Sequence, residues 1–219
     1  MKPLAIDLFC GLGGWTDGLL AEGYDVIGFD IERHVYGDEK YPAQLVIQDV
    51  RTLHGSQFKS AALIVASPPC QEFSYMAMPW SRAKAKRLAL LNDAEGRKRL
   101  TELFDCCFRI QREACEAAGH HIPMVVENVR GADEWVGRSR WNFGSFHLWG
   151  DVPALMCIGS PLKGIGCGSV AWHQGKGQRN PADPRNFYSA DPRRRGAQVA
   201  VAKIPLPLAR HIARVYRPC

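Results

Sequence analysis

The feature that most constrains this chain is the alternation of short apolar runs with turn residues and helical patterns. The fourth run, ALIVAS, is apolar at nearly every position, which is typical of a strand buried on both faces of a parallel sheet. Residues 99–118 repeat apolar side chains at helical spacing, and Gly119 follows them. The pattern predicts an α/β fold, with a mostly parallel sheet and helices on both faces. The predicted strands are residues 4–9, 24–30, 45–50, 62–67 and 124–129.

Length and composition indicate one globular domain, or one domain with a small appendage. The chain has 219 residues, of which 46% are hydrophobic. No apolar run approaches the roughly 20 residues that a membrane span needs, and the N-terminus lacks the pattern of a signal peptide. The eight cysteines lack CxxC and paired Cys/His spacings, so we expect reduced thiols and no metal site. These features predict a cytoplasmic protein without membrane association.

The net charge of +6 is concentrated in two segments, residues 82–99 and 176–195. We interpret both as basic loops, which suit a polyanion such as nucleic acid. An ordinary solvated face explains the charge of these segments equally well. Residues 157–199 are rich in Gly, Pro, Ser, Arg and Asn, which predicts a long, poorly structured insertion or arm. After it, the sequence predicts an extended Pro segment and a short helix over Leu208–Tyr216.

A cofactor site is indicated by features that follow the first three predicted strands. Gly11, Gly13 and Gly14 separate the first strand from a helix over Trp15–Glu22, so the backbone there could approach a ligand closely. Their spacing is not GxGxxG, which disfavours a dinucleotide. Asp30 and Asp49 end the next two strands, where acids can accept hydrogen bonds from ribose and adenine. Together these features favour an adenosine cofactor such as S-adenosylmethionine, although a ligand-free tight turn stays open.

Two further residues suggest covalent chemistry. Cys70 follows Pro68 and Pro69 just beyond the fourth strand, where a thiol would be held at the rim of the sheet as a nucleophile. Glu127 ends the apolar fifth strand, and burial would raise its pKa and suit it to proton donation. A structural cysteine and a salt-bridged glutamate are the plainer alternatives.

The motifs DLFCGLGGW, SPPCQEFS and VVENV occur in this order, and together they resemble those of the DNA cytosine-5 methyltransferases. The C-terminal IPLPLARHIA is similar to the last motif of that family. The resemblance implies a Rossmann-like, S-adenosylmethionine-dependent methyltransferase fold. The short second half implies a compact, phage-like member that lacks a full target recognition domain.

The resemblance carries functional roles onto particular residues. It implies catalytic roles for Cys70 and Glu127, and it implies that Arg138 and Arg140 hold a flipped base. The residues that it places at the cofactor are Phe9, Cys10, Gly11, Gly13, Gly14, Asp30, Ile31, Asp49, Val50 and Pro69.

The chain departs from the family pattern in two motifs and in length. Val136 stands where the Arg motif normally has Gln, and the following WNFGSFHLWGD is not the usual apolar strand. Val201-Ala202-Lys203 replaces the Gly-Asn that precedes the prolines of the last motif. We therefore expect a catalytic and cofactor-binding domain over 1–151, a reduced DNA-contacting arm over 152–199, and a segment over 200–219 that packs back on the catalytic domain.

The activity implied is methylation of cytosine C5 in double-stranded DNA, through a transient bond between Cys70 and C6, on a base that has left the stack. The short arm predicts a short or degenerate target sequence. The setting implied is a bacterial or phage-infected cell, with restriction–modification as one role. An RNA cytosine-5 methyltransferase, an inactive nucleic-acid-binding protein, an enzyme of free dCMP, and a separate recognition subunit all stay open.

Overall fold

The computed structural model describes residues 1–73, 80–153 and 203–218. Its main sheet has seven strands in the order β5-β2-β1-β6-β7-β9-β8, and β3 and β4 form a separate ribbon. The strands are β1 Leu4–Leu8, β2 Asp25–Asp30, β3 Val35–Tyr36, β4 Glu39–Lys40, β5 Gln44–Ile47, β6 Ala61–Ala66, β7 Met124–Asn128, β8 Trp141–Phe143 and β9 Phe146–Gly150. The helices are α1 Gly14–Ala21, α2 Trp80–Leu91, α3 Ala94–Ala118, α4 Asp133–Val136 and α5 Leu206–Val215.

Five neighbouring strands, from β5 to β7, run parallel, and β9 and β8 follow antiparallel. The predicted Rossmann-like α/β fold with a mostly parallel sheet is therefore confirmed. β1 lies between β2 and β6, because the chain first builds one side of the sheet and then crosses to the other. The carboxyl ends of β1 and β6 thus form a topological switch point, which is where open α/β sheets bind ligands.

The segment WNFGSFHLWGD, whose sequence is not that of the usual apolar strand, supplies two strands, β8 and β9. Gly144 has a φ of 60° at the turn between them, a conformation that glycine adopts without steric cost. Leu148 and Trp149 are buried, and Leu148 pairs with Glu127 of β7. The hairpin therefore forms one edge of the sheet beside the predicted catalytic strand.

The two faces of the sheet are covered by different helices. α3 packs Phe104, Cys107, Ile110 and Ala114 into one apolar core, at the spacing predicted from the sequence. It begins at Ala94 rather than near residue 99, because the Asp93 carboxylate accepts a hydrogen bond from the Gly96 N–H at 2.7 Å and so caps the helix. The opposite face is covered by α1 and α5.

The C-terminal segment lies very close to α1. A Cβ built on Gly14 would lie 2.3 Å from the Ile204 nitrogen, and one on Gly18 would lie 2.4 Å from the Ala209 Cβ. These two glycines let the backbones approach, and Ile204, Leu208 and Ile212 then complete the second core. The helix predicted over Leu208–Tyr216 begins two residues earlier, with a proline in its first turn, a position that proline favours.

The prediction of a basic loop over 82–99 is wrong, since these residues form most of α2 and the start of α3. The segment is rich in Ala, Lys, Arg and Leu, which favour helix. Arg97 donates to the Leu90 and Leu91 carbonyls at the end of α2, at 2.7 and 2.6 Å. The predicted arm, with its basic segment 176–195, falls from residue 154 onward outside the described residues.

Two findings concern the described part of the chain as a whole. No helix in it is long and apolar enough to cross a membrane. No group of three or more His, Cys, Asp or Glu side chains there could hold a metal ion.

Candidate active site

The predicted site residues gather at the carboxyl edge of the sheet, around the switch point. Phe9 leaves β1 with a φ of 58° and is the one described non-glycine residue with a positive φ. Bulky side chains disfavour this conformation by roughly 1–2 kcal/mol, and such strain is typical of functional sites. It turns the chain into the glycine loop, residues 10–14, directly beneath the edge where ligands of this fold bind.

Asp30 ties the glycine loop to the end of β2. One carboxylate oxygen accepts from the Gly11 N–H at 2.9 Å, and the other accepts from the Ile31 N–H at 2.8 Å. His34 Nε2 lies 3.4 Å from the same carboxylate. Since a carboxylate offers about four acceptor positions, Asp30 can organise the loop and still accept a hydrogen bond from a ligand.

Two of the loop glycines are required by packing as well. Gly13 has a φ of 80°, and a Cβ there would lie 2.6 Å from Pro42 Cδ. Gly14 lies against the Ile204 backbone, as described above. The glycine pattern therefore serves the close approach of two neighbouring segments to the loop, in addition to any ligand.

A buried polar cluster lies behind the loop, and the sequence analysis did not predict it. Thr16 Oγ1 lies 2.6 Å from an Asp7 carboxyl oxygen and 2.7 Å from the Tyr41 hydroxyl. The other Asp7 oxygen has no hydrogen-bond partner among the described residues. Complete burial raises the pKa of Asp7 to about 8, against a smaller lowering effect of Thr16. Asp7 is therefore largely protonated at neutral pH.

The remaining predicted cofactor residues differ in their surroundings. Ile31 is 65% exposed beside Asp30, and an apolar side chain there suits the face of an adenine ring. Val50 is buried, and Pro69 is exposed. Asp49 caps a short turn and binds Arg51, with the closest contact at 2.6 Å. This pairing with Arg51 holds the pKa of Asp49 below its usual value, so the carboxylate is ionised but already engaged.

The turn that carries Cys70 is fixed on both sides. Asn128 Nδ2 donates to the Pro68 carbonyl at 2.8 Å, which joins the ends of β6 and β7. Beyond Cys70, the Phe73 N–H donates to the Cys70 carbonyl at 3.0 Å, and the Phe73 ring packs edge-on against Phe104. The thiol is half-buried at the rim. Burial raises the pKa of Cys70, and the nearby Glu127 charge raises it further.

Glu127 is buried at the end of β7, with 9% of its surface exposed. Burial raises the pKa of Glu127 to about 8, and a hydrogen bond from Ser67 opposes that shift. Ser67 also accepts a hydrogen bond from Trp15 Nε1 at 3.0 Å. A thiol and a neutral carboxylic acid thus lie together at the switch point. This arrangement can add a nucleophile to an electron-poor ring and donate a proton to a ring nitrogen.

Arg138 and Arg140 lie between α4 and β8. Both residues are exposed, and the Arg140 N–H donates to the Leu148 carbonyl at 2.8 Å. β8 is separated from β7 by β9, which places Arg140 about two strand spacings, or about 10 Å, from the β7 backbone. The charge of Arg140 acts on Tyr216, just beyond α5. The base-holding role of these arginines stays a prediction.

Sequence reasoning missed the residues that support the catalytic pair. Asn128 and Ser67 stand inside the ENV and SPPC motifs, but nothing in their spacing shows which side chains they contact. Trp15 and Ser67 are far apart in the sequence, and their contact depends on how α1 lies across the sheet. A polar side chain next to a predicted nucleophile or acid is the one signal that could have found Ser67 and Asn128.

The fold is an open α/β sheet with a half-buried thiol and a buried carboxylic acid at its switch point. Residues 4–94 match the family model of the C-5 cytosine-specific DNA methylases. The match spans less than half of the chain and includes the glycine loop, Asp30, Asp49 and Cys70, whereas Glu127 lies beyond it. The match over residues 4–94 confirms the resemblance seen in the motifs.

Three solved structures illustrate the wider similarity. A DNA modification methyltransferase encoded within a prophage (E. coli) is 23% identical, with a TM-score of 0.39. The match covers 60% of this chain and 33% of the prophage-encoded chain. The S. pombe Dnmt2 methyltransferase is 16% identical with a TM-score of 0.36, and covers 63% of this chain and 37% of its own.

The Entamoeba histolytica methyltransferase EhMeth is 18% identical with a TM-score of 0.36, and covers 63% of this chain and 41% of its own. This chain therefore spans well under half the length of all three. No curated protein matches it.

Proposed function

We propose that the protein transfers a methyl group from S-adenosylmethionine to C5 of cytosine in DNA. The observation that carries the proposal is the pairing of the half-buried Cys70 thiol with the buried, largely neutral Glu127. Their strands, β6 and β7, are neighbours in the parallel sheet. Cys70 follows β6 and Glu127 lies at the end of β7, so both stand at the carboxyl edge of the sheet, where we place the base.

Each residue has a defined part in the chemistry. C5 of cytosine is a poor nucleophile until a group adds to C6. The Cys70 thiolate adds to C6 as Glu127 donates its proton to N3, and C5 becomes an enamine-like carbon. Neutral Glu127 also removes the like charge that disfavours the thiolate of Cys70. Once C5 carries the methyl group, a base takes the C5 proton, the C6–S bond breaks to release Cys70 as the thiolate, and N3 returns its proton to Glu127.

The cofactor is assigned to the glycine loop and its neighbours. The Asp30 carboxylate has acceptor capacity left for ribose hydroxyls, and exposed Ile31 offers an apolar surface to adenine. Val50 and Asp49 follow the adjacent strand, and Asp49 would have to share its carboxylate with Arg51. When bound, S-adenosylmethionine supplies an electrophilic methyl group for C5.

The choice of DNA as substrate is supported by the charge of α2 and the start of α3. Lys84, Lys98 and Arg99 are exposed, and Lys86 contacts Glu72, two residues after Cys70. This basic surface is thereby tied to the catalytic turn, where it can meet backbone phosphates. Phosphate contacts position a protein without reading sequence, which agrees with the short or degenerate target that we propose.

The test is methyl transfer from labelled S-adenosylmethionine to unmethylated duplex DNA, with a structured RNA of equal cytosine content in parallel. We expect label in 5-methylcytosine of the DNA, and none with a Cys70→Ser variant. Label confined to RNA would show that RNA, and not DNA, is the substrate. Retention of cofactor binding with no label in either polymer would identify an inactive binding protein.

A further inference from the structure

Ser67 stands between Trp15, which follows the glycine loop, and the predicted proton donor. Its hydroxyl oxygen accepts from the Trp15 indole Nε1–H at 3.0 Å. Ala66 pairs with Val126 in the parallel sheet, so Ser67 and Glu127, the next residue along each strand, are neighbours with side chains on the same face. An indole can only donate, and a serine hydroxyl has one hydrogen to give. With Trp15 as the donor to Ser67, the serine hydrogen is free to point at the Glu127 carboxyl group.

The surroundings hold this arrangement in one orientation. Trp15 is 2% exposed and lies in the second residue of α1, immediately after the glycine loop. The Ser67 N–H donates to the Leu8 carbonyl at 3.1 Å, which fixes the serine backbone to the end of β1. The relay Trp15–Ser67–Glu127 therefore runs from the start of α1 to the ends of β6 and β7.

We propose that Ser67, oriented by Trp15, is a positioning residue that holds the Glu127 carboxyl group and controls how readily it releases its proton. This inference rests on the proposed function, in which Glu127 must both donate and recover a proton. A buried carboxylic acid without a polar partner would bind its proton too tightly to be an effective donor. The relay also connects the shape of the glycine loop to the acid that acts on the base.

Few other groups influence the pKa of Glu127. The titratable neighbour with which its charge interacts is Cys70. Across the sheet Glu127 pairs with Leu148 of β9, and Trp15 of α1 is uncharged. Within the described residues, removal of the Ser67 hydroxyl therefore leaves burial as the dominant influence.

The experiment compares Ser67→Ala with Ser67→Thr, which keeps a hydroxyl, and with Trp15→Phe, which removes only the indole donor. The first readout is the pH dependence of kcat. In Ser67→Ala we expect the alkaline limb to move up by about one pH unit, as one hydrogen bond to a charged group would give. We expect kcat at neutral pH to fall several-fold, with the KM for S-adenosylmethionine unchanged.

In Ser67→Thr the alkaline limb of the kcat profile should stay at the pH found in the unmodified protein. In Trp15→Phe it should move in the same direction as in Ser67→Ala, but by less. A limb that stays in place in both Ser67→Ala and Trp15→Phe would overturn the inference. So would equal losses in Ser67→Ala and Ser67→Thr, because they would show a purely structural role.

A second readout needs no activity. The infrared carbonyl band of protonated Glu127, identified by its loss in Glu127→Gln, is titrated in the protein without substrate. We expect its midpoint to rise in Ser67→Ala and to stay in place in Ser67→Thr, and an unchanged midpoint in Ser67→Ala would contradict the inference. If the protein methylates neither DNA nor RNA, the proposed function fails while this titration still decides the role of Ser67.

Discussion

At the scale of single residues, the proposed function depends on two groups whose chemistry is changed by burial. Cys70 alone would be a half-buried thiol, and Glu127 alone would be a costly buried acid. Because the Glu127 pKa is raised to about 8, the acid is largely neutral at physiological pH and can act as a proton donor. Because Glu127 is neutral, it places no negative charge beside Cys70 to disfavour its thiolate.

This state predicts how activity responds to pH. Glu127 is protonated below its folded-state pKa of about 8, so we expect kcat to fall on the alkaline side with a midpoint near that value. Glu127→Gln should lower kcat by about 10²–10⁴-fold, the usual size of a general acid effect, and should abolish this limb. A Glu127→Gln variant that keeps the alkaline limb would assign it to another group.

A second buried acid predicts how stability responds to pH. The pKa of Asp7 rises from an ordinary 3.8 to about 8 on folding, so the folded protein binds its proton more tightly than the unfolded chain. The free energy of unfolding should therefore fall as pH rises from about 4 to about 8. Asp7→Asn should flatten that slope in chemical denaturation measured across this range, and an unchanged slope would contradict the assignment.

At the scale of elements, the alternation of short apolar runs with turn residues and helical patterns was sufficient to predict the parallel strands and α3. Boundaries shifted where a side chain decides them, as at α3, which Asp93 caps and which begins five residues before the predicted start. The basic segment after the Cys70 turn was misread because charge alone does not distinguish a loop from an exposed helix. The β8–β9 hairpin was missed because its Trp and Phe residues break the even apolar pattern of a buried strand.

The candidate site follows the same division. Cys70, Glu127, Asp30 and the glycine loop were predicted because they stand in motifs at strand ends. The sequence could not predict the contact of Trp15 with Ser67 or that of Asn128 with Pro68, because these contacts depend on how distant elements pack and on side-chain rotamers.

The contact between α1 and α5 gives a prediction at this scale. A Cβ on Gly18 would lie 2.4 Å from the Ala209 Cβ, so Gly18→Ala should force the two helices apart. We expect a loss of about 1–3 kcal/mol in the free energy of unfolding, as for other overpacked cores. Leu20→Ala, on the more exposed side of α1, is the control and should change stability much less. Equal effects would show that the close helix contact is not limiting.

At the scale of the whole molecule, the basic helix α2 lies beside the turn that carries Cys70. α2 follows the Cys70 turn and is held near it by Lys86 and Glu72, while Arg87 Nε reaches Glu134 of α4 at 2.6 Å. The helix is thus fixed to the catalytic half of the fold. The charges that remain exposed on α2 and at the start of α3 are available to a polyanion.

We predict that Lys84→Gln with Lys98→Gln weakens duplex DNA binding and lowers its dependence on salt. Removing one lysine–phosphate ion pair should reduce the slope of log affinity against log salt by about one. Lys59→Gln is the matched control, because Lys59 is exposed just before β6, at the amino edge of the sheet opposite the site. A salt slope that changes equally in both variants would move the DNA surface away from α2.

The central claim is that Cys70 forms a bond to C6 of cytosine. A duplex containing 5-fluorocytosine tests it most directly, because fluorine at C5 cannot leave as the proton does and the bond to C6 then persists. With S-adenosylmethionine present, we predict a complex that survives denaturation and a peptide mass increase that maps to Cys70, with none in Cys70→Ser. An unmodified Cys70 in protein that methylates cytosine in ordinary DNA would contradict the account.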